Sequence, residues 1–346
     1  MQLDTINFSL PQALEATAPP EARGLRRDEV RLLVSHYQSD VLEQATFGDL
    51  GRFLHTGDLL VVNTSATLPA AVAGVRADGL PLTVHFSTQL SAETHIVELR
   101  QGDHSFRQNS AGDVITFPDG ATLTLILPRV HSADSPTRLW IAALHSERPF
   151  HDFLHTHGQP IRYSYVDRAW PLAAYQTVFA QTAGSAEMPS AGRAFSAELV
   201  TRLVTQGVQF APVVLHTGVA SMEDHEPPYA EWFAVPTASA QLINAARHSG
   251  RRVIAVGTTA VRAVETATDE NGWVTAAQGW TELIIGKTRP MRVINGLITG
   301  FHEPKATHLA MLAALASHAH LRVSYTAALK QRYLWHEFGD LHLLVA

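Results

Sequence analysis

Arg252-Val253-Ile254-Ala255-Val256-Gly257-Thr258-Thr259-Ala260-Val261-Arg262-Ala263-Val264-Glu265 is the stretch that decides the fold class. Val253 to Val256 is a short β-branched apolar run, as expected of a buried strand. A Gly-Thr-Thr turn ends it, and helix patterning follows from Ala260. Such a strand–turn–helix junction leaves backbone N–H groups of Gly257, Thr258 and Thr259 at a helix start, backed by the helix dipole. A phosphate or carboxylate binds readily there. Arg262 and Glu265 lie one helical turn apart and can face the same pocket. No Gly-Lys-Ser/Thr follows, which excludes a nucleoside triphosphate P-loop. Taken alone, the junction equally fits ordinary α/β loop chemistry.

Working outward, 346 residues are enough for a large core and two domains. Hydrophobic content of 46% and charged content of 17% describe a globular chain without an apolar run long enough to span a bilayer. Met1-Gln2-Leu3-Asp4 has no basic region followed by an apolar one, so the reading expects no signal peptide and a cytoplasmic address. The absence of cysteine excludes disulfides, thiolate catalysis and Cys-ligated metals. A net charge of −6 argues against a strongly basic nucleic-acid face. Three clusters can still form a local patch or simply solvated faces: Arg23, Arg26, Arg27 and Arg31; Lys287, Arg289 and Arg292; Arg322, Lys330 and Arg332.

The N-terminal part reads as a strand over 32–35, a helical turn over 47–54 and a strand over 59–62. Between about Gly74 and His145 the texture changes to five short strands, 82–87, 95–100, 114–117, 122–127 and 139–144, separated by turns such as Asp78-Gly79 and Asp119-Gly120. They predict a compact antiparallel barrel or sandwich without a helix. After Pro149 the spacing predicts helices over 197–206, 239–249, 260–268 and 307–318, and strands over 213–216, 253–256, 282–285 and 292–294. The fold class is therefore mixed α/β: a discontinuous α/β catalytic domain, 1–73 and 149–346, carrying an inserted antiparallel β-barrel domain, 74–148.

His151, His155 and His157 lie close in sequence, as do His302, Glu303 and His308, but neither group has a recognised metal-ligand spacing, and no metal is expected. His216 ends the apolar run Val213-Val214-Leu215 and precedes Thr217-Gly218. The mouth of a buried strand is where α/β sheets place ligand contacts. A histidine capping a sheet edge has the same pattern. His302 has a similar setting after Leu297-Ile298-Thr299-Gly300-Phe301.

Further blocks stand in a definite order: Ile6-Asn7-Phe8-Ser9-Leu10-Pro11, Gly57-Asp58-Leu59-Leu60-Val61-Val62-Asn63, Leu68-Pro69-Ala70, Tyr175-Gln176-Thr177-Val178-Phe179, Pro189-Ser190-Ala191-Gly192, Leu215-His216-Thr217-Gly218, the Gly257 junction, Asn295-Gly296-Leu297-Ile298-Thr299-Gly300-Phe301-His302 and Phe338-Gly339-Asp340. In this order and spacing the chain resembles, over nearly its whole length, the S-adenosylmethionine:tRNA ribosyltransferase-isomerase family of queuosine biosynthesis. The resemblance implies the same two-part layout. It also implies S-adenosylmethionine as a ribosyl donor and a 7-aminomethyl-7-deazaguanine base in tRNA as acceptor. A base removes a proton from the carbon bearing the sulfonium, adenine leaves, the acceptor amine takes the sugar, and methionine departs as an epoxycyclopentane ring forms to give epoxyqueuosine-tRNA.

That chemistry needs a base, for which a histidine, His216 or His302, or a partly buried carboxylate suits, while Glu231, the third residue of the expected catalytic set, can bind an amine or a ribose diol. The methionine carboxylate suits Arg262 and the 257–259 amides, with Glu265 beside them. Asn63, Gln176 and Thr177 offer groups for adenine or ribose edges. Ser190, Gly192 and Asp340 complete the expected substrate-binding set through their family blocks.

Several positions depart from the family pattern. Two family arginines are Ala66 and Ala71, and the Leu-His after Pro-Thr-Ala-Gly is Arg193-Ala194. The His-x-Met-His-x-Glu element is shortened between Val219 and Glu231, with Tyr229 in place of its second histidine. Each lost charge-assisted contact is worth roughly 1.5–3 kcal/mol. Two rival functions are therefore weighed against tRNA modification. One is a diverged paralogue using S-adenosylmethionine or a related nucleoside on a small-molecule acceptor or in an elimination. The other is a non-catalytic nucleic-acid-binding or scaffold protein.

Overall fold

A computed structural model describes residues 6–129, 138–219, 229–286, 288–304 and 306–346. Lys287 of the second basic cluster and most of the shortened loop before Glu231 lie outside them. Among the described residues, a nine-stranded sheet runs in the order Ala277–Thr281, Glu231–Val235, Gln209–Leu215, Leu59–Asn63, Val253–Val256, Gly296–Gly300, Leu341–Val345, Arg31–His36 and Val41–Thr46. Its centre is parallel: Gln209–Leu215, Leu59–Asn63, Val253–Val256 and Gly296–Gly300 run the same way. Leu59, Leu60, Val61, Val253, Ile254, Ala255, Leu297 and Ile298 are fully buried, as strands covered on both faces require.

The helix Thr258–Thr266 packs Ala260, Val261, Ala263 and Val264 into this core. It can leave its strand so abruptly because Gly257 adopts φ +88°, a conformation that a side chain disfavours. Ala197–Thr205 covers the opposite face with Leu199 and Leu203, and the Ser196 hydroxyl accepts from the Leu199 amide, a cap worth about 1 kcal/mol. Thr237–His248 lies with the first helix.

The second body is a closed antiparallel barrel. Ala71–Arg76, Pro81–Gln89, Thr94–Gln101, Leu139–His145, Thr122–Pro128 and Val114–Thr116 pair in a ring, closed where Leu139–His145 meets Thr94–Gln101 and where Ala71–Arg76 meets Val114–Thr116. Closure removes the free edges that an open sheet would expose. Val72, Val84, Phe86, Val97, Leu99, Ile115, Leu123 and Leu125 form its core, and the helix Phe150–His157 adds Phe153 and Leu154 to it.

Three expected elements are corrected. The helix over 307–318 is two helices, Thr307–Leu312 and His318–Lys330, because Ser317 caps the second, its hydroxyl 3.1 Å from the His320 amide. No strand forms over 292–294: the amides of Arg292, Val293 and Ile294 all donate to the Glu265 carboxylate, and the strand is Gly296–Gly300 instead. The strand placed at 282–285 is Ala277–Thr281, which ends where the Thr281 and Leu283 carbonyls turn to the Arg262 guanidinium.

Candidate active-site crevice

The parallel strands bring Asn63, His216, Gly257 and Gly300 to the same side of the sheet, at or just beyond their carboxyl ends. A crevice outside the carboxyl ends is the usual ligand position in such sheets. Across it runs the segment from the short strand Thr182–Ser185 to the turn Ser190–Gly192. Ala191 is 3.4 Å from where a side chain on Gly257 would begin, so the turn roofs the strand–helix junction.

His216 is the best-organised polar group here. Its Nδ1 lies 2.8 Å from Ser65 Oγ, which lies 2.6 Å from Ser185 Oγ; Ser185 in turn accepts from the Thr217 amide at 3.0 Å. The ring stacks on Trp232 at 5.2 Å. A side chain on Gly184 would begin 2.5 Å from the imidazole, so only glycine lets the ring lie there. Burial lowers the pKa of His216 to about 4, which keeps it neutral at pH 7. Ser65 and Ser185 escaped the sequence reading; the position of Ser65 two residues beyond Asn63, at the same strand mouth, was the available signal.

Glu231 and Arg262 come together but face each other. The guanidinium binds the Glu231 carboxylate and donates to the carbonyls of Leu283, Thr281 and Tyr229 at 3.2, 3.1 and 3.3 Å. The other Glu231 oxygen accepts from the Gly218 amide at 2.9 Å. Burial raises the pKa of Glu231, and Arg262 opposes the shift. Glu265 does not share their pocket: it is buried and accepts from three consecutive amides and from Arg289 at 3.3 Å. The amide of Gly257 donates to Ile298 at 2.8 Å, so Thr258 and Thr259 supply the junction's outward N–H groups.

Several expected ligand contacts are engaged within the chain. Asn63 donates to the Leu215 carbonyl and to Thr259 Oγ1, and accepts from the Ser65 and Leu215 amides. Gln176 pairs both ways with the Thr67 backbone at 3.0 and 2.8 Å. Thr177 accepts from the Phe179 amide. Asp340 accepts from the amides of Arg31 and Leu334, each at 2.8 Å. Arg193, one of the departures from the family pattern, donates to the Ala174 carbonyl and pairs with Glu21, both at 2.8 Å.

At the other end of the crevice, His302 Nε2 lies 2.8 Å from Thr299 Oγ1 and its ring stacks on His308 at 4.3 Å. Burial lowers the pKa of both, that of His308 to about 4. His302 and His216 follow strands three steps apart, roughly 14 Å at the usual spacing, so they serve opposite ends. Ser190 and Gly300 line a small cavity of about 10 Å³, room for about one water, with Arg193, His336, Glu337 and Phe338. Among the described residues there is no cluster of three potential metal ligands, and no helix is long and apolar enough to cross a membrane.

A family model described as a queuosine biosynthesis protein matches residues 3–344. Similar curated proteins include the S-adenosylmethionine:tRNA ribosyltransferase-isomerase of Symbiobacterium thermophilum, 34% identical with 100% of both chains covered. That of Moorella thermoacetica is 33% identical, again over 100% of both. Among solved structures, the S-adenosylmethionine tRNA ribosyltransferase of Thermotoga maritima aligns with a TM-score of 0.54 and 25% identity, covering 98% of this chain and 99% of that one.

Proposed function

The chain belongs to the queuosine biosynthesis protein family, and from that premise we propose how its crevice serves the reaction. The protein is an S-adenosylmethionine-dependent ribosyltransferase-isomerase: it transfers and isomerises the ribosyl moiety onto 7-aminomethyl-7-deazaguanine in tRNA, releasing adenine and methionine. The full-length match carries this activity. S-adenosylmethionine is a co-substrate, and a cytoplasmic address suits an enzyme acting on tRNA.

His216 is the base in our reading. The sulfonium acidifies the adjacent ribose carbon, and a neutral imidazole accepts the proton through Nε2 when Nδ1 carries its hydrogen toward Ser65. The electron pair left on carbon opens the ribose ring, and the freed ring oxygen becomes an aldehyde carbonyl as adenine leaves; the acceptor amine adds to the resulting vinyl sulfonium, the carbon beside sulfur closes onto the aldehyde, and the alkoxide so formed displaces methionine as the epoxide closes. The amides of Thr258 and Thr259 hold the methionine carboxylate, a contact worth about 0.3–1 kcal/mol at a helix start. Arg262 does not reach that carboxylate while it holds Glu231. We therefore assign both to positioning: they fix Gly218, two residues past the base. Asn63 acts in the same way, tying Leu215 and Thr259 together. His302 lines the far end. In this reading the α/β body is the catalytic part, with the barrel as an inserted unit.

The test uses S-adenosylmethionine labelled in the ribose and tRNA bearing the aminomethyl-deazaguanine. Label is expected in the tRNA with wild-type protein and is expected to fall by two orders of magnitude or more with His216→Ala. Undiminished transfer by that variant removes His216 from the chemistry.

A further inference from the structure

Tyr163 and Tyr165 are two residues apart, and their rings stack with centroids 5.9 Å apart and 23° between planes. Tyr165 stacks on His336 at 4.0 Å and 13°. Each tyrosine hydroxyl ends on a carboxylate: Tyr163 donates to Glu187, and Tyr165 to Glu337 Oε2 at 2.5 Å. The two acids arrive from different directions. Glu187 stands two residues beyond Ser185, a member of the His216 relay, and Glu337 follows His336 on the wall of the cavity that Ser190 and Gly300 also line. The aromatic stack therefore adjoins the crevice.

Among the described residues no lysine or arginine pairs with Glu337. Burial raises its pKa, and its one side-chain hydrogen-bond donor is a phenol. A carboxylate has about four acceptor positions, so a phenol leaves capacity for a cation or a donor-rich edge. A deazaguanine with an aminomethyl group offers both: a primary ammonium, and adjacent ring N–H and exocyclic amine donors. Enzymes that act on a base commonly take it out of the stack, set it against aromatic rings and read its edge by hydrogen bonds.

We propose that the Tyr163–Tyr165–His336 stack with Glu187 and Glu337 is the seat of the acceptor base, selecting it by its ammonium and its donor edge. The proposal rests on the tRNA-modifying reading of the same crevice and adds the residues that choose the acceptor. Glu337 and Glu187 are specificity residues here, separate from the base at His216.

The test compares two tRNAs of one sequence, one carrying 7-aminomethyl-7-deazaguanine and one carrying guanine, in binding to wild type, Glu187→Gln and Glu337→Gln. Glutamine keeps an oxygen for the tyrosine hydroxyl but removes the charge. Wild type is expected to prefer the aminomethyl tRNA, and each variant to lose about tenfold or more of that preference. S-adenosylmethionine affinity and the affinity for guanine tRNA should stay within twofold, which separates selection from general damage. If Glu337→Gln does not fold, Glu187→Gln decides alone. Preference retained in the folded variants overturns the proposal and leaves the function intact. A wild-type protein that transfers no ribose to the aminomethyl tRNA overturns the function and the proposal together.

Discussion

Ser65 Oγ lies 2.8 Å from Nδ1 of the half-buried His216, and Ser65 is itself buried against Ser185. The hydroxyl orients the imidazole, and in the proposed mechanism Nε2 takes the proton. Ser65→Ala should therefore lower kcat by about tenfold, less than His216→Ala, while leaving KM for S-adenosylmethionine within twofold. Steady-state kinetics of the two variants check the order; equal loss in KM and none in kcat would assign the relay to binding.

The Arg262–Glu231 pair gives a prediction about stability. Both side chains are about one-tenth exposed. Removing one member of a buried ion pair leaves an uncompensated charge, typically at about 3–5 kcal/mol. Arg262→Ala should lose stability of that order in urea unfolding, whereas Arg262→Met combined with Glu231→Leu should recover most of it. If Arg262→Ala unfolds like wild type but binds S-adenosylmethionine weakly, the arginine is a ligand contact after all.

Glu265 organises the stretch before Gly296–Gly300 by accepting from three successive amides. With Glu265→Ala, those amides lose their buried acceptor, each at about 1–3 kcal/mol. Hydrogen exchange at Arg292, Val293 and Ile294 should quicken far more than exchange in Leu59–Asn63. Unchanged protection there would show that other contacts hold the loop.

Burial holds His85, His95, His216, His308 and His336 at about 4, and His342 at about 3, against an ordinary 6.5. A depressed value means that the unfolded chain takes up protons first. The stabilisation is thus complete above about 6.5 and is lost as pH falls toward the folded values, at up to roughly 1.4 kcal/mol per pH unit for each histidine. Melting temperature should be flat above about pH 7 and fall steeply toward pH 4–5. Constant melting down to pH 4 would mean that these rings are protonated in the folded state.

The central strands were legible because Leu59–Asn63 and Val253–Val256 are continuous apolar runs that admit few other structures. Barrel strands such as Thr94–Gln101 were legible too, though Ala71–Arg76 was not, since Ala-Val-Ala-Gly carries little strand signal. Non-local partners were the hidden part. Nothing near Arg262 in sequence shows that Glu231 will meet it, or that Glu265 will gather amides from 292–294. The same limit applies at the crevice: the mouth of a strand pointed to His216 and the strand–turn–helix junction to Gly257, but Tyr163, Tyr165, Glu187 and Glu337 meet only in three dimensions.

The central claim is that this crevice breaks S-adenosylmethionine into adenine, methionine and a ribosyl group only when its tRNA acceptor is present. Free adenine should be measured with S-adenosylmethionine alone, with unmodified tRNA and with tRNA carrying 7-aminomethyl-7-deazaguanine. One adenine per modified tRNA, and little in the other two mixtures, is the predicted result. Equal release without the modified base, or none in any mixture, would contradict it.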